Sequence, residues 1–499
     1  MKVIREPARD VPVAREVDVL VAGAGVGGTL AALTAAKEGM RTLVVDRFGV
    51  LGGNFGAAGF IIGGKPGIRP QGDEFYRDSP AVFEEFVNRA EALLRSEGFQ
   101  WATAADIGAR LPLIGQTYSR VAADMAAELG VETMLSAYAG APIMEGNTVR
   151  GLFVETKSGR VAVTARVTID ATGDASVAAR AGAPMVAAEP VDQMASPNMP
   201  QWTLNPRYPA YNEGGVCYLL YGVDLARFKE WAEAPDPPKL SEADIAWREA
   251  KRPLTYNPWR SDGWPDRMVP LLRQGWESGE FRVTREIRPG LVVDFPRAFT
   301  QVDVLLAHGR TNIYGQYDTG LWEDVSLAET GMRSHVQDGV RFFRKHVPGF
   351  ERAALIAMSA FLGARGGPHI DGEFVLTPQD SFAGLDHPDT LYRCYIETMR
   401  KGNPAGHDVP YGMMLPKTVE GLLVAGRGAS WLRRGHDPSF RSRRNMMRFG
   451  IAAGYAAAQS VRDGTPPRRL DVRKLQRTLF RNGFGFGAPQ RLIDLGLQS

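Results

Sequence analysis

The first patterned stretch of the chain is Val17-Asp18-Val19-Leu20-Val21-Ala22, a short apolar run rich in β-branched residues. Such a run predicts a strand with both faces buried. Thr29 to Glu38 is rich in Ala and Leu and predicts a helix that stops at Gly39. Thr42 to Val45 predicts a second buried strand, closed by the acid Asp46. Further strands are expected at Val131–Thr133, Val149–Glu155, Arg160–Asp170 and Gly421–Ala425. Helices are expected around Ala81–Gly98, Tyr118–Leu129, residues 325–347, 351–362, Tyr392–Arg400, Asn445–Val461 and Asp471–Phe480.

Between residues 190 and 300 the pattern changes. Pro, Trp and Tyr are frequent and helical periodicity is weak, which suits a separate unit built on an antiparallel sheet. A length of 499 residues leaves room for two to four domain-sized units. Charged residues are 23% and hydrophobic ones 44%, the balance of a globular protein rather than a disordered or fibrous one. The net charge of +3 is too even for a nucleic-acid or membrane-surface protein. Two cysteines, Cys217 and Cys394, exclude a disulfide scaffold and a Cys-rich metal site. The charged start lacks a signal-peptide apolar region, and no apolar stretch reaches membrane-spanning length. The expectation is a soluble, cytoplasmic protein that binds neither nucleic acid nor membrane. No His, Cys, Asp or Glu spacing reads as a metal site, and no GxSxG elbow is present.

Glycine changes the picture: there are 56, well above the usual share, and they cluster. Gly23-x-Gly25-x-x-Gly28 falls between the first strand and the first helix, with Asp46 ending the second strand. Gly23 permits the tight turn, Gly25 lets backbone approach a pyrophosphate, and Gly28 lets helix pack on strand. The helix N-terminus offers N–H groups and a positive dipole end to phosphate. Asp46 can accept hydrogen bonds from a ribose diol. This context specifies a dinucleotide, NAD or FAD.

Later segments discriminate between the two. Val50-Leu51-Gly52-Gly53-Asn54 follows Asp46, Val167 to Asp170 runs into Ala-Thr-Gly-Asp at 171–174, and Leu422 to Ala425 runs into Gly426-Arg427. Three strand ends with glycine turns suit one long extended ligand, and FAD is such a ligand. EPARDVPV (6–13), DVLVAGAGVGG (18–28), VVDRFGVLGGN (44–54), VTIDATGDASVAARAGAP (167–184), GEFVLTPQD (372–380), LLVAGRGAS (422–430) and GIAAGYAAA (450–458) together resemble the FAD-dependent oxidoreductases of the glutathione-reductase-like flavoprotein superfamily.

The resemblance implies an α/β fold: a Rossmann-like FAD-binding domain with a parallel sheet, helices and a three-stranded β-meander, interrupted by an inserted α+β substrate domain. The expected boundaries are 1–188 and 405–465 for the FAD-binding domain, 189–404 for the substrate or cap domain, and 466–499 for a C-terminal helix and tail. It places Gly23, Gly25 and Gly28 at the pyrophosphate, Asp46 at the adenosine ribose and Arg47 near adenine or phosphate. Gly52, Gly53 and Asn54 would follow the phosphate–ribityl path, and Ala139 would meet adenine. Thr172, Gly173 and Asp174 would lie close to the adenosine half. Gly426 and Arg427 would flank the ribityl and phosphate. Gly450 and Ala453 would allow close packing of a helix whose N-terminus, near Asn445, points at the flavin.

One departure stands out. Where the family carries an Arg-Glu-Thr-Arg-Arg-like string, this chain reads Gly363-Ala364-Arg365-Gly366-Gly367-Pro368-His369, so specificity is expected to be its own here. Residues 427–448 hold seven arginines, among them Arg441, Arg443 and Arg444, with Asp437 the only acid. They form either a solvated basic loop or a clamp for an anionic substrate or the FAD phosphates. Proton-transfer candidates are His369 and His436, with Arg365 and Arg441 beside them; Tyr317 and Tyr411 are weaker candidates, and His335 and His346 are expected to be structural. The expected function is an FAD-dependent dehydrogenase or oxidase that moves a hydride from a small polar substrate to flavin N5, with an external electron acceptor. A monooxygenase or C=C reductase using an external reductant, and a non-catalytic FAD-binding module, are the alternatives.

Overall fold

The computed structural model describes residues 3–59, 80–98, 111–186, 212–250, 265–281, 291–293, 297–303, 306–315, 317–395, 406–431 and 443–498. The first glycine motif sits where the pattern places it. Strand β1 (Val13–Ala22) leads into helix α1 (Val26–Lys37) and then β2 (Thr42–Asp46). Helices α2 (Ala81–Ser96) and α3 (Leu111–Glu128) precede β3 (Glu132–Leu135), and β4 (Tyr138–Glu145), β5 (Thr148–Thr156) and β6 (Gly159–Asp170) form an antiparallel meander. The sheet order is β3-β2-β1-β6-β5-β4, with β1, β2, β3 and β6 parallel. Leu422–Val424, from far along the chain, completes it by pairing parallel to the last residues of β6. The parallel strands carry apolar residues on both faces because both faces are covered.

A second unit follows the short β7 (Met185–Val186). Strand β8 (Asn212–Tyr221) pairs antiparallel with β11 (Leu306–Gly315), which also pairs with β9 (Leu291–Val293) and β10 (Arg297–Asp303). Strand β12 (Ala354–Met358) closes the other edge against β8. This corrects the helix expected at 351–362: Ala354 to Met358 has cross-strand partners in β8, and tertiary pairing overrides the helical propensity of its Ala, Leu and Met. Three short helices, Leu225–Ala232, Glu242–Ala250 and Met268–Glu277, interrupt the stretch read as poor in helix. Helix α4 (Trp322–His346) lies behind the sheet. His335 is fully buried in it, and His346 stands 3.2 Å from Glu280, as structural residues would.

After the two-residue strand β13 (His369–Ile370), β14 (Thr390–Cys394) pairs with β15 (His407–Pro410), and β16 is the Leu422–Val424 strand already described. The helix expected at 392–400 is therefore a strand over its first residues; residues 396–400 lie outside the described ones. Helix α5 (Arg443–Asp463) packs on α1, and α6 (Val472–Arg481) packs on α5. The contact of α5 with α1 is glycine-mediated: a Cβ on Gly450 would collide with the backbone of Gly27, and one on Gly454 would stand 2.6 Å from the Ala31 carbonyl. One core joins α1 and the central sheet to Leu376, Leu391, Tyr392 and the C-terminal helices, and a second lies between the β8–β11 sheet and α4.

Candidate active site

The glycine loop between β1 and α1 is held from three sides. Gly23 adopts φ +95°, a conformation glycine alone takes at little cost, and its N–H donates to the Val45 carbonyl. The Ala24 N–H donates to Asp46 Oδ2 at 2.5 Å, and Gly52 N–H donates to the Ala24 carbonyl at 2.8 Å. Asp46 also accepts from Phe48 N–H at 2.7 Å. Burial raises its pKa, while the two backbone N–H groups pull the other way. The carboxylate thus ties the loop to the end of β2.

The glycines divide by what an added Cβ would meet. At Gly23 it would stand 2.5 Å from the Ala171 carbonyl, at Gly28 it would collide with the Gly23 carbonyl, and at Gly53 it would stand 2.7 Å from Gly25 Cα. These positions serve protein packing. At Gly25 and Gly426 it would meet nothing within 4 Å among the described residues. Those two lie on the open side of the cradle, where a ligand's phosphates can come against backbone, so the residues fit an FAD. Gly450 and Ala453 belong to the helix packing: Gly450 faces Gly27, and Ala453 is fully buried in the first core.

The loop after β2 is pinned by α3. Ser119 Oγ donates to the Leu51 carbonyl at 2.6 Å and accepts from Ala57 N–H at 2.9 Å. Gly52 at φ +106° and Gly53 at φ +50° make the turn that carries Asn54 toward the second unit, where its side chain lies 3.7 Å from a Cβ position on Gly363. Arg47 is exposed and stacks 4.9 Å over Phe48, which stacks in turn on Phe361 at 4.8 Å. The carbonyl of Ala139 accepts from Arg180 Nη1 at 2.7 Å.

At the end of β6, Asp170 is a hub that the sequence motif alone does not reveal. It accepts from Thr172 N–H and Oγ1 and from the N–H groups of Val177 and Ala178, at 2.7 to 3.0 Å. It shapes the Ala-Thr-Gly-Asp turn and holds the helix Ser176–Arg180 above it. Gly173 (φ +92°) is turned toward Arg427, whose Nη2 would be 3.2 Å from its Cβ. Arg427 pairs with Asp174 at 2.9 Å and donates to the Gly366 carbonyl, and Thr319 Oγ1 donates to Asp174 at 2.6 Å. Arg427 therefore latches the departing loop at 363–367 to the cofactor half, its guanidinium engaged by Asp174 and the Gly366 carbonyl.

The proposed proton-transfer residues are not brought together among the described residues. His436 and Arg441 lie outside them. His369 is buried in a two-residue ribbon opposite Val186, and Ile370 next to it packs into the core under the sheet. Arg365 lies beside the Arg427 latch. Tyr411 donates to the Pro467 carbonyl at 2.8 Å, and burial raises its pKa, so it is structural; Tyr317 is buried in the second core.

The geometry is that of a dinucleotide cradle at the carboxyl ends of parallel strands, beneath a separate antiparallel sheet. The chain belongs to the FAD-dependent oxidoreductase family, whose model matches residues 18–479. It is an oxidoreductase, and its cofactor is FAD. Over 170 residues it is 32% identical to a digeranylgeranylglycerophospholipid reductase of Methanosphaerula palustris, an alignment that spans 33% of this chain and 40% of that protein. Among solved structures, a geranylgeranyl bacteriochlorophyll reductase-like protein of Thermoplasma acidophilum aligns at 14% identity and TM-score 0.41, covering 94% of this chain and 86% of that one. The anhydrotetracycline hydroxylase OxyS of Streptomyces rimosus aligns at 12% and TM-score 0.41, covering 94% and 68%. Among the described residues, no helix is long and apolar enough to cross a membrane, and no group of His, Cys, Asp or Glu could hold a metal ion.

Proposed function

We propose that the protein dehydrogenates a small polar organic substrate placed between the cofactor cradle and the β8–β11 sheet. FAD, when bound, supplies a two-electron acceptor that takes the substrate's hydride at N5. The open backbone at Gly25 and Gly426 would hold the pyrophosphate and Asp46 the adenosine ribose, and the positive end of α5 would stabilise negative charge on the reduced flavin. The substrate's hydroxyl or amine proton goes to a protein base as the hydride leaves carbon, and an external acceptor removes the electron pair. Between the two histidine candidates, the burial of His369 in a packed ribbon favours His436. The inserted unit is proposed to end near residue 365 rather than 404, because Leu376, Leu391, Tyr392 and Cys394 join the core of the cofactor half.

The observation that carries this reading is the backbone at Gly25 and Gly426, where an added Cβ would meet no described residue within 4 Å, at strand ends next to a separate sheet. An anaerobic screen of hydroxy acids, sugars and amines tests it: at least one should bleach the flavin without added nicotinamide. Bleaching by NAD(P)H alone, with no response to any such donor, supports the reverse direction instead. In that reading an external reductant loads the electrons and the substrate takes them up. The partial likeness to a reductase favours that alternative.

A further inference from the structure

Three helices of this protein set opposite charges one turn apart. Arg89 pairs with Glu85 on α2, Arg120 with Asp124 on α3, and Arg333 with Glu329 on α4, at 2.7 to 3.0 Å. Opposite charges at this spacing support a helix, and like charges oppose it. Helix α6 departs from that rule. Arg469, Arg473, Arg477 and Arg481 follow one another at four-residue intervals, the last three on the helix itself. All four are exposed. The helix is held by its other side, where Leu475, Gln476 and Leu479 are buried. None of the four arginines makes an ion pair among the described residues. Arg473 donates to the Leu495 carbonyl at 3.0 Å and Arg481 to the Arg477 carbonyl at 3.3 Å. The acids at hand are engaged with Lys474 instead: Asp471 accepts from its N–H as the helix cap, and Asp463 pairs with its ammonium at 2.6 Å.

A stripe of like charge that works against its own helix favours an anionic partner. Its length and setting say which kind. Arg473 to Arg481 span eight residues, about 12 Å of helix. Exposed acids border the stripe: Asp463, Asp471, and Asp494 beside the Leu495 that holds Arg473. The net charge of the whole chain is only +3. A membrane or a nucleic acid presents a long anionic surface and would meet those acids as well. A protein with a compact acidic patch would not. The stripe also leads toward the cofactor half of the site. Just past Arg481, the Asn482 carbonyl accepts from Ala81 N–H at the start of α2, at 2.9 Å. Phe83 of that helix lies under the guanidinium of Arg444, 5.6 Å away in the first turn of α5.

We propose that the stripe from Arg469 to Arg481 docks an acidic one-electron carrier protein, the external acceptor of the reaction. The inference rests on the dehydrogenation reading above and supplies its partner. Each encounter reduces one carrier by one electron. Two carriers therefore reoxidise one anionic reduced flavin, and the flavin's proton passes to water. Charge steering raises such encounter rates about 10- to 1,000-fold and fades as salt screens it.

The test is stopped-flow reoxidation of the flavin-loaded protein, chemically reduced without oxygen, by two carriers of opposite charge. One is plastocyanin, an acidic blue-copper protein; the other is mitochondrial cytochrome c, a basic haem protein. The plastocyanin rate should fall steeply between about 0.01 M and about 1 M salt, and the cytochrome c rate should not. The triple variant Arg473→Gln, Arg477→Gln, Arg481→Gln should lose roughly 10-fold or more of the plastocyanin rate at low salt. Its flavin content should be unchanged and its cytochrome c rate no lower. Arg477→Glu sets an acid one turn from both Arg473 and Arg481, so it should melt no lower than the wild type and still slow plastocyanin. Equal salt dependence for the two carriers, or a full plastocyanin rate in both variants, overturns the assignment. So does stripe-dependent binding to phosphatidylserine vesicles or to duplex DNA with the plastocyanin rate intact. Stripe-dependent reoxidation with no donor able to bleach the flavin overturns the dehydrogenation reading and leaves the docking face standing. Donor bleaching with carrier rates that ignore the stripe overturns the docking face alone.

Discussion

The two walls of the proposed active site are built in different ways. The floor, from Gly23 to Gly28 with Gly52, Gly53 and Gly426, is made of backbone: most of its glycines let protein backbone pack closely, while Gly25 and Gly426 put no side chain where a cofactor would sit. The roof, from Gly215 to Leu219 and His308 to Asn312, is made of side chains set in register across two strands whose paired residues lie 89 to 97 positions apart. A backbone wall can recognise what every member of a family binds. A side-chain wall can change with the substrate. The latch of Arg427, Asp174, Thr319 and the Gly366 carbonyl joins the two.

The contrast can be broken from the floor first. Gly28→Val puts a branched side chain into the Gly23 carbonyl and the Ala171 methyl. Overpacking of this kind costs about 1–3 kcal/mol even when neighbours can shift, and here they are backbone. The expected outcome is insoluble or unfolded protein, read by circular dichroism; a folded, yellow variant would show that the helix–strand contact is looser than described.

The roof is sharpened by acid. His308 is neutral when folded, with a pKa of about 4 against 6.5 when exposed. The unfolded chain therefore binds the proton first, and stability is lost as pH falls from about 6.5 to about 4. At 1.36 kcal/mol for each unit, the loss is about 3 kcal/mol at most. Denaturant melts across that range should show this slope in the wild type and a flatter one in His308→Gln. Equal slopes would contradict the buried, neutral roof histidine.

The smallest expected effect is at the latch. Asp174 and Arg427 keep about a fifth of their side-chain surface exposed, so the pair is only partly shielded from water. Arg427→Ala should cost roughly 1–2 kcal/mol, through the lost ion pair and the uncapped Gly366 carbonyl. Paired with Asp174→Ala, it should show coupling in a double-mutant cycle. Additive losses would show that the loop is held by other contacts.

These two kinds of wall explain what was legible in the sequence. Gly23, Gly25, Gly28 and Asp46 stand close together in the chain, and each glycine has a backbone reason that spacing alone exposes. Asp170 was visible only as a letter in a motif, because its four hydrogen bonds close after the chain has turned. Arg310 gave no signal, since its cross-strand neighbour Cys217 lies 93 residues before it. The alternation of His308, Arg310 and Asn312 with Ala307, Thr311 and Ile313 was there to be read as a strand with a polar face. Ala354–Met358 was misread as helix because only its partner β8 decides its state. Arg427 sat in a motif, but its side chain answers to Asp174 and Gly366 rather than to the neighbours that define the motif.

The central claim is that the floor is open at Gly25 because a ligand's backbone-bound phosphate belongs there. Gly25→Val tests it directly. Gly25 has φ −74° and ψ −162°, an extended conformation that valine adopts, and no described residue lies within 4 Å of its Cβ position. The variant should therefore fold with only a small loss from the helix N-cap, and it should release no FAD on denaturation where the wild type releases one per chain. A folded Gly25→Val protein that keeps its full complement of FAD would contradict the claim.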